Sequence, residues 1–208
     1  MAKTCRNRET LIERATALFA SRPAEQMGFN AIAEACDVSM WALRYNFGDT
    51  ETLFKAIADH LLETIEQVAR KRPTATAQTI DALGAHADFL SGLFRSDAYR
   101  DLLILVLRAG RERPWLRDAY EERVLGALAG GVEAAVAESG RSRGVTISVR
   151  AGAARRFVKR LETAFALAPL LPAGEPPAAD ERERLLGDAA REAFAATYLF
   201  EWSVPAAA

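Results

Sequence analysis

The sequence has few cysteines and no long apolar run. Cys5 and Cys36 are its only cysteines, too few for a disulfide framework, and their separation matches no metal-ligand spacing. The longest apolar run, 102–107, is far shorter than the roughly 20 residues of a membrane span. The first twenty residues carry charges throughout, unlike a signal peptide. We therefore expect a cytoplasmic protein with no membrane partner, and the reducing cytosol suits its two cysteines.

The sequence also lacks a basic excess and the usual motifs of enzymes. Its net charge is −1, and residues 1–48 carry six basic against five acidic side chains. Charge alone therefore does not indicate nucleic-acid binding. There is no nucleophile elbow, no phosphate-binding loop and no pair of catalytic carboxylates. The sequence thus predicts a protein that is not an enzyme and needs no cofactor or metal.

Apolar residues recur every three or four positions through most of the chain, a spacing that predicts helices. The first helix spans about 8–21, a short second helix 29–36, and a third ends near Phe47. About four residues join the second helix to the third, which begins near Ser39. Such a pair forms a helix-turn-helix candidate, whose second helix enters the major groove of DNA.

After residue 49 the predicted helices become longer. A long helix begins at Thr50, with Asp49 or Thr50 as its cap. The predicted helices span about 50–72, 75–94, 97–111, 114–138, 149–171 and 180–202. The run VTISV at 145–149 has the composition of a strand but no partner, so we interpret it as the approach to the next helix. The pattern predicts an all-α protein, with three short helices, a long connecting helix and a helical bundle.

The segment IAEACDVSMWALRYNFGDTETLF, residues 32–54, carries the strongest motif. It resembles the DNA-binding segment of the TetR family, which typically reads like IAEAAGVSxGTLYYHFGSKEALF. The run ATALFA at 15–20 stands where that family has its first-helix pattern. Six apolar matches would hold the two short helices together and fasten the long helix to them: Ile32, Val38, Leu43, Phe47, Leu53 and Phe54.

The resemblance implies a DNA-contacting set around the third helix. Its members are Ser39, Met40, Trp41, Ala42, Arg44, Tyr45, Asn46 and Thr50. Ser39 can cap the helix and meet a phosphate, and Met40, Trp41 and Ala42 offer an apolar face suited to thymine methyls. Arg44 can bind a phosphate or a guanine edge. The Tyr45 hydroxyl can reach a phosphate, although a partly buried ring fits equally well, and Asn46 stands where the family often has His.

The motif departs from the family pattern at several positions. The turn glycine is Asp37, which tolerates a left-handed backbone better than most residues. Trp41 replaces a glycine, and Arg44 replaces the first of two tyrosines. The Ser-Lys pair that opens the long helix is Asp49-Thr50 here. This change removes a phosphate-binding cation and adds an anion near the DNA backbone.

Residues 101–124 resemble the middle of the ligand-binding domain in one TetR subgroup. The resemblance implies a small-molecule pocket among the later helices. Its candidate lining residues, each also explained by core packing, are Phe89, Leu93, Leu103, Leu107, Trp115, Tyr120 and Phe165. His86, Asp88 and Arg108 are polar residues in apolar helices that either orient a ligand or lie on the surface. His86 is too isolated to indicate a metal site.

The resemblance implies two domains, a DNA-binding domain over 1–49 and an effector-binding and dimerisation domain over 50–208. The Ala-rich apolar stripes of 149–171 and 180–202 would pair with a second copy, since one reading helix covers only a half-site. We expect a TetR-like repressor that binds a pseudo-palindromic double-stranded operator as a homodimer. A small, largely apolar effector would release it. The rival hypothesis is a helical binding or scaffold protein that has lost the operator.

Overall fold

The computed structural model describes residues 8–21, 28–71, 82–142 and 151–167, together with Gly144, Val149, Leu170 and Arg184. The α-helices in these residues are α1 (Arg8–Ser21), α2 (Phe29–Ala35), α3 (Met40–Phe47), α4 (Thr50–Arg70), α5 (Ala82–Phe94), α6 (Asp97–Ala109), α7 (Pro114–Ala119), α8 (Gly126–Ser142) and α9 (Ala153–Glu162). Two π-helical segments, Tyr120–Leu125 and Thr163–Leu167, follow α7 and α9. The described ranges contain no β-strand, which confirms the all-α prediction.

The predicted helices agree with these bounds best in the first third of the chain. The first helix has the predicted limits, and α4 ends two residues before the predicted position 72. Two later predictions are wrong in detail, because α8 continues to Ser142 and α9 begins only at Ala153. The predictions over 75–81, 145–148, 150, 168–169 and 171–180, and over 180–202 apart from Arg184, lie outside the described residues.

The chain divides into two compact units. Unit 1 comprises Met1–Ile65 and Asp97–Tyr120, and unit 2 comprises Glu66–Ser96 and Glu121–Ala208. In unit 1, α1 packs on α2 and α6, and α2 packs on α3. Its core contains side chains from every one of these helices and from α4, including Leu11, Phe19, Ile32, Leu43, Phe47, Leu53, Phe54 and Leu102. Six apolar residues were predicted to hold the helix-turn-helix together and to fasten the long helix to it. Five of them are buried and Val38 is half-buried.

Unit 2 is built from α5, α8 and α9, which pack on one another. Its core includes Leu90, Phe94, Leu128, Val132, Val136, Phe157, Leu161 and Phe165. Phe157, Leu161 and Phe165 come from the stripe that the sequence predicted to face a second copy. In this chain they are buried inside unit 2, so they are part of its own core.

Two local features hold the turn between α2 and α3. Asp37 has a φ of 51°, in the left-handed region, as its position in the motif predicted. At the preceding residue, Nη1 of Arg14 donates to the backbone carbonyl of Cys36 at 2.9 Å. Cys36 is buried, and this burial raises the pKa of its thiol. The turn therefore fixes α2 and α3 in one arrangement without a glycine.

Among the described helices none is long and apolar enough to cross a membrane. Within the same part of the chain, no three His, Cys, Asp or Glu side chains come together in a way that would hold a metal ion.

Candidate nucleic-acid interface

Helix α3 begins at a side-chain cap and is anchored along one side. Oγ of Ser39 accepts a hydrogen bond from the backbone N–H of Ala42 at 3.1 Å, which satisfies one of the free donors of a helix start. Ala42, Leu43 and Phe47 are buried. The sequence prediction that Ser39 caps the third helix is confirmed. A capped and anchored helix keeps its remaining side chains in fixed outward directions.

The opposite side of α3 carries large exposed side chains. Trp41 is 69% exposed and Tyr45 is 76% exposed, while Met40 is 41% exposed. The rings of Trp41 and Tyr45 are stacked, with centroids 5.1 Å apart and planes inclined by 16°. Arg44 is also exposed. We call Met40, Trp41, Arg44 and Tyr45 the outward face of α3.

Two of the predicted contact residues lie elsewhere on the helix. Ala42 is only 6% exposed, so it does not belong to the apolar outward face that the sequence predicted for Met40, Trp41 and Ala42. Asn46 is half-buried, and its Nδ2 donates to the backbone carbonyl of Ala42 at 2.8 Å. The side of α3 that contains Ala42 is thus occupied by contacts within the protein.

The start of α4 carries the two residues that depart from the family's Ser-Lys. Oδ1 of Asp49 accepts a hydrogen bond from the backbone N–H of Thr52 at 2.7 Å, so of the two predicted candidates, Asp49 and Thr50, it is Asp49 that caps α4. This backbone hydrogen bond lowers the pKa of the Asp49 carboxyl. Thr50 is half-buried. A permanent anion therefore lies two positions beyond the end of α3, in the place where the family pattern has a small neutral residue.

A cluster of paired side chains lies just beyond this cap. We call Glu51, Phe54, Lys55, Arg113 and Trp115 the Phe54 cluster. Nε and Nη2 of Arg113 donate to Oε1 and Oε2 of Glu51 at 2.9 and 2.7 Å, and the Arg113 guanidinium lies 4.3 Å from the centre of the Phe54 ring. Trp115 meets Phe54 edge-on at 6.4 Å, and Nζ of Lys55 lies 5.0 Å from the Trp115 ring. These contacts tie the first two turns of α4 to the start of α7.

The hydrogen bonds from Arg113 lower the pKa of Glu51. Sequence reasoning missed this pair, because Glu51 and Arg113 are 62 positions apart. Helical spacing relates only residues three or four positions apart. The one signal in the sequence is the run of charged residues just before Pro114, and it does not identify a partner.

The seven predicted effector-binding residues are divided between the units. Leu103, Leu107, Trp115 and Tyr120 belong to unit 1, whereas Phe89, Leu93 and Phe165 belong to unit 2. Leu107 is 57% exposed, and Trp115 belongs to the Phe54 cluster. The hydroxyl of Tyr120 lies 2.7 Å from that of Tyr99, with both rings buried. Leu93, Leu103 and Phe165 are buried, and Phe89 is half-buried.

A groove in unit 2 has a different lining. Its volume is about 460 Å³, and the residues around it are Glu66, Ala69, Arg70, Glu122, Arg123, Gly126, Ala127, Gly130 and Gly131. Glu66 accepts hydrogen bonds from Arg123 at 2.7 Å and from Arg70 at 2.6 Å. The bond from Arg123 contributes most to lowering the pKa of Glu66. The groove therefore combines charged side chains on one part of its wall with bare backbone on another.

The three polar residues singled out in the apolar helices have different positions. Asp88 and Arg108 are exposed, which fits the interpretation as surface residues. His86 is buried, its ring centroid lies 5.5 Å from that of Phe89, and it packs against Gly131. A β-carbon at position 131 would lie 2.6 Å from Cε1 of His86. Gly131 thus provides the space in which the imidazole fits.

Residues 11–57 match the model of the family described as bacterial regulatory proteins, tetR family. This range contains α1, α2 and α3 almost entirely and the first part of α4. A comparison with curated proteins finds no match.

Solved structures share the fold along nearly the whole chain. A TetR-family transcriptional regulator from Pseudomonas syringae is 19% identical, with a TM-score of 0.62 over 92% of this chain and 97% of its own. GusR of Salmonella enterica is 15% identical, with a TM-score of 0.63 over 92% and 95%. The flavonoid-responsive regulator FrrA is 22% identical, with a TM-score of 0.60 over 90% and 95%. Residues 11–57 therefore match the tetR family of bacterial regulatory proteins, and the chain as a whole has the fold of these solved structures.

Proposed function

We propose that the protein is a transcriptional repressor that binds a pseudo-palindromic DNA operator as a homodimer. The observation that carries this proposal is the geometry of α3. One side of the helix is fixed by Ala42, Leu43 and Phe47, and the other presents Met40, Trp41, Arg44 and Tyr45 to solvent. A short recognition helix of this kind reads base edges through its outward side chains, and two copies are needed to cover both half-sites.

Arg44 supplies the polar part of this recognition. It is exposed on the outward face, and its guanidinium can make two parallel hydrogen bonds to a guanine edge or neutralise a phosphate. Arg8 lies nearby in unit 1, with its guanidinium 5.3 Å from the centre of the Phe47 ring. The two arginines would offset part of the repulsion between Asp49 and the DNA backbone.

The test is a binding titration with duplex DNA from upstream of the protein's own gene, at several salt concentrations. Wild-type protein should give a specific complex whose affinity falls as salt rises. Arg44→Ala should weaken the specific complex at least several-fold, whereas Arg95→Ala, which removes an exposed arginine of the turn after α5, should not. Absence of a salt-sensitive complex with every upstream fragment would contradict the proposal.

The alternative function is a helical binding or scaffold protein that has kept the fold and lost the operator. The anion at Asp49 is the observation that favours it, because the carboxylate is held charged by its capping hydrogen bond. The same titration separates the two functions, since a scaffold protein would be indifferent to Arg44→Ala. Light scattering of the complex with DNA gives the number of protomers and tests the homodimer.

We further propose that a small molecule bound in the helical part of the chain releases the DNA. FrrA, a protein of the same fold, is described as flavonoid-responsive, which supports a small-molecule effector for this chain. The groove in unit 2 is our candidate for its site. The last turns of α4, with Glu66, Ala69 and Arg70, line this groove, and only two residues separate the end of α3 from the start of α4. Binding there can bias α4 between two positions and so change the affinity for DNA.

Filling the groove tests this assignment. No atom lies within 4 Å of a β-carbon built at Gly130, so Gly130→Leu should put an apolar side chain at the wall of the groove that Gly130 lines. A reporter strain should show unchanged repression and reduced induction for this variant. Gly92→Leu is the matched control, because Gly92 is equally open and does not line the groove. Equal induction of both variants would place the effector elsewhere.

A further inference from the structure

Two aromatic rings on α3 form a stacked, exposed pair. Trp41 and Tyr45 are one helical turn apart, and their planes are inclined by only 16° with centroids 5.1 Å apart. Each is more than two-thirds exposed. The inner side of α3 is already anchored by Leu43 and Phe47, so the fold does not depend on either ring for its core. A stacked pair of this size in water is suited to contact with a partner, because each ring has large apolar area to bury.

We propose that Trp41, supported by Tyr45, reads the methyl group of a thymine in the major groove. This inference rests on the proposed DNA-binding function. Thymine is the base that presents a methyl group on the major-groove edge, and apolar side chains distinguish it there. Trp41 is the second residue of α3, in the part of a recognition helix that reaches the base edges. The operator should therefore contain a thymine at the position in each half-site that meets Trp41.

The stack explains why an indole works at this position. A free tryptophan side chain would lose rotamer freedom on binding, and that loss opposes association. Tyr45 already lies against one face of the indole, so much of the ordering is complete before DNA is bound. The indole edge and its other face stay available for the methyl. Tyr45 acts here as a positioning residue for Trp41.

Among the residues of α3, Trp41 is the best placed to make an apolar contact with a base. Ala42 is buried, and its backbone N–H and C=O bond to Ser39 and Asn46. Met40 is less exposed than Trp41, at 41% against 69%, while Arg44 provides hydrogen-bond donors rather than apolar area. The outward face therefore divides its tasks. Arg44 would bind a polar edge or a phosphate, and the Trp41–Tyr45 pair would bind a methyl.

The experiment removes one methyl group at a time from the DNA. A preferred duplex is first selected from random sequences with the full-length wild-type protein, and each thymine is then replaced by deoxyuridine. Burying one methyl contributes about 0.8 kcal/mol, so affinity should fall about fourfold at the thymine that Trp41 contacts. In Trp41→Ala that same replacement should have no effect. Tyr45→Phe keeps the stacked ring and should retain the wild-type fall.

Each outcome decides a distinct point. If the wild type binds a selected duplex but no deoxyuridine replacement weakens binding, the inference is wrong and DNA binding stands. If Trp41→Ala remains as sensitive as the wild type to the same replacement, another residue reads that methyl. Tighter binding to single strands than to duplex would show that the rings stack on bases instead, which also overturns the inference. Failure to select any duplex would overturn the proposed function itself. Circular dichroism checks that the variants are folded.

Discussion

Unit 1 contains two groups of aromatic side chains with opposite environments. Phe54 is buried, with Phe19 at 5.7 Å, Trp115 at 6.4 Å and the Arg113 guanidinium at 4.3 Å from its ring. Trp41 and Tyr45 are stacked on each other and face solvent. The Phe54 cluster joins segments that are far apart in sequence, whereas the outward face of α3 is local. The difference separates residues that hold the recognition helix in place from residues that are available to contact DNA.

The largest expected effect comes from removing the buried ring. Phe54→Ala should lower the free energy of unfolding by about 3–5 kcal/mol, because it removes a core ring and leaves a cavity. Trp41→Ala should change that free energy by no more than about 0.5–1 kcal/mol, as is usual at exposed sites. Denaturant unfolding of both variants measures the contrast. Comparable losses would show that Trp41 has a structural role and would remove the distinction between the two groups.

A smaller loss is expected when the charged partner of Phe54 is replaced. Arg113→Met keeps an apolar side chain but removes the ion pair with Glu51 and the contact with the ring face. We expect a loss of about 1–2 kcal/mol in the free energy of unfolding, combining the usual values for a cation–π contact and a partly exposed ion pair. Arg117→Met, at an exposed arginine of α7, is the control and should cost less than about 0.5 kcal/mol. Equal losses for the two variants would contradict the role of Arg113.

A cation restored beside the outward face of α3 tests whether the start of α4 lies near a DNA phosphate. Thr50→Lys places a lysine at the start of α4, where the family pattern has one. If that end of α4 faces a phosphate, the logarithm of the binding constant should fall more steeply with the logarithm of salt concentration, by about one unit of slope. Affinity at low salt should rise with it. Thr64→Lys adds the same charge farther along α4 and should leave the slope unchanged. An unchanged slope for Thr50→Lys would place this end of α4 away from the backbone.

The smallest effect concerns pH. The hydrogen bonds from Arg113 lower the pKa of Glu51 below its ordinary value of 4.5. The folded-state pKa is thus below the unfolded one, so the stabilisation is present above about pH 4.5 and is lost as pH falls through the folded pKa. Because Glu51 is largely exposed, the contribution should stay below about 1 kcal/mol. The difference in unfolding free energy between wild type and Glu51→Gln should shrink from pH 6 to pH 3. In the Arg113→Met background the difference should not shrink, because burial and the charge of Asp49, which remain, raise the pKa of Glu51. A persistent shrinkage toward pH 3 would point to another partner.

The framework of the helix-turn-helix and its neighbouring helices, α1 to α4, follows from local sequence rules. Apolar spacing placed α1 to α4, and the side chains of Ser39 and Asp49 cap their helices as their positions predicted. The left-handed backbone at Asp37 also agrees with the motif. Each of these features depends on residues within a few positions of one another, which is the range over which a pattern can be read directly.

Other features were beyond such rules. Alanine is small enough to lie on either side of a helix, and the motif alone did not show that Ala42 points inward. The pairing of Glu51 with Arg113 and the lining of the unit 2 groove depend on how separate helices pack. The π-helical turn at Tyr120–Leu125 rotates the face that the following residues present. The effector-binding residues stay a prediction, since they were chosen by type and not by position in space.

The fit between His86 and Gly131 has a consequence for how such proteins diverge. The imidazole lies where any larger residue at position 131 would put its β-carbon, so alanine at 131 requires the buried imidazole to shift or to be replaced. If a smaller residue at 86 accompanies alanine at 131, then in either order one intermediate is penalised, by crowding or by a cavity. Where a buried histidine is retained at position 86, glycine should therefore be retained at position 131 as well.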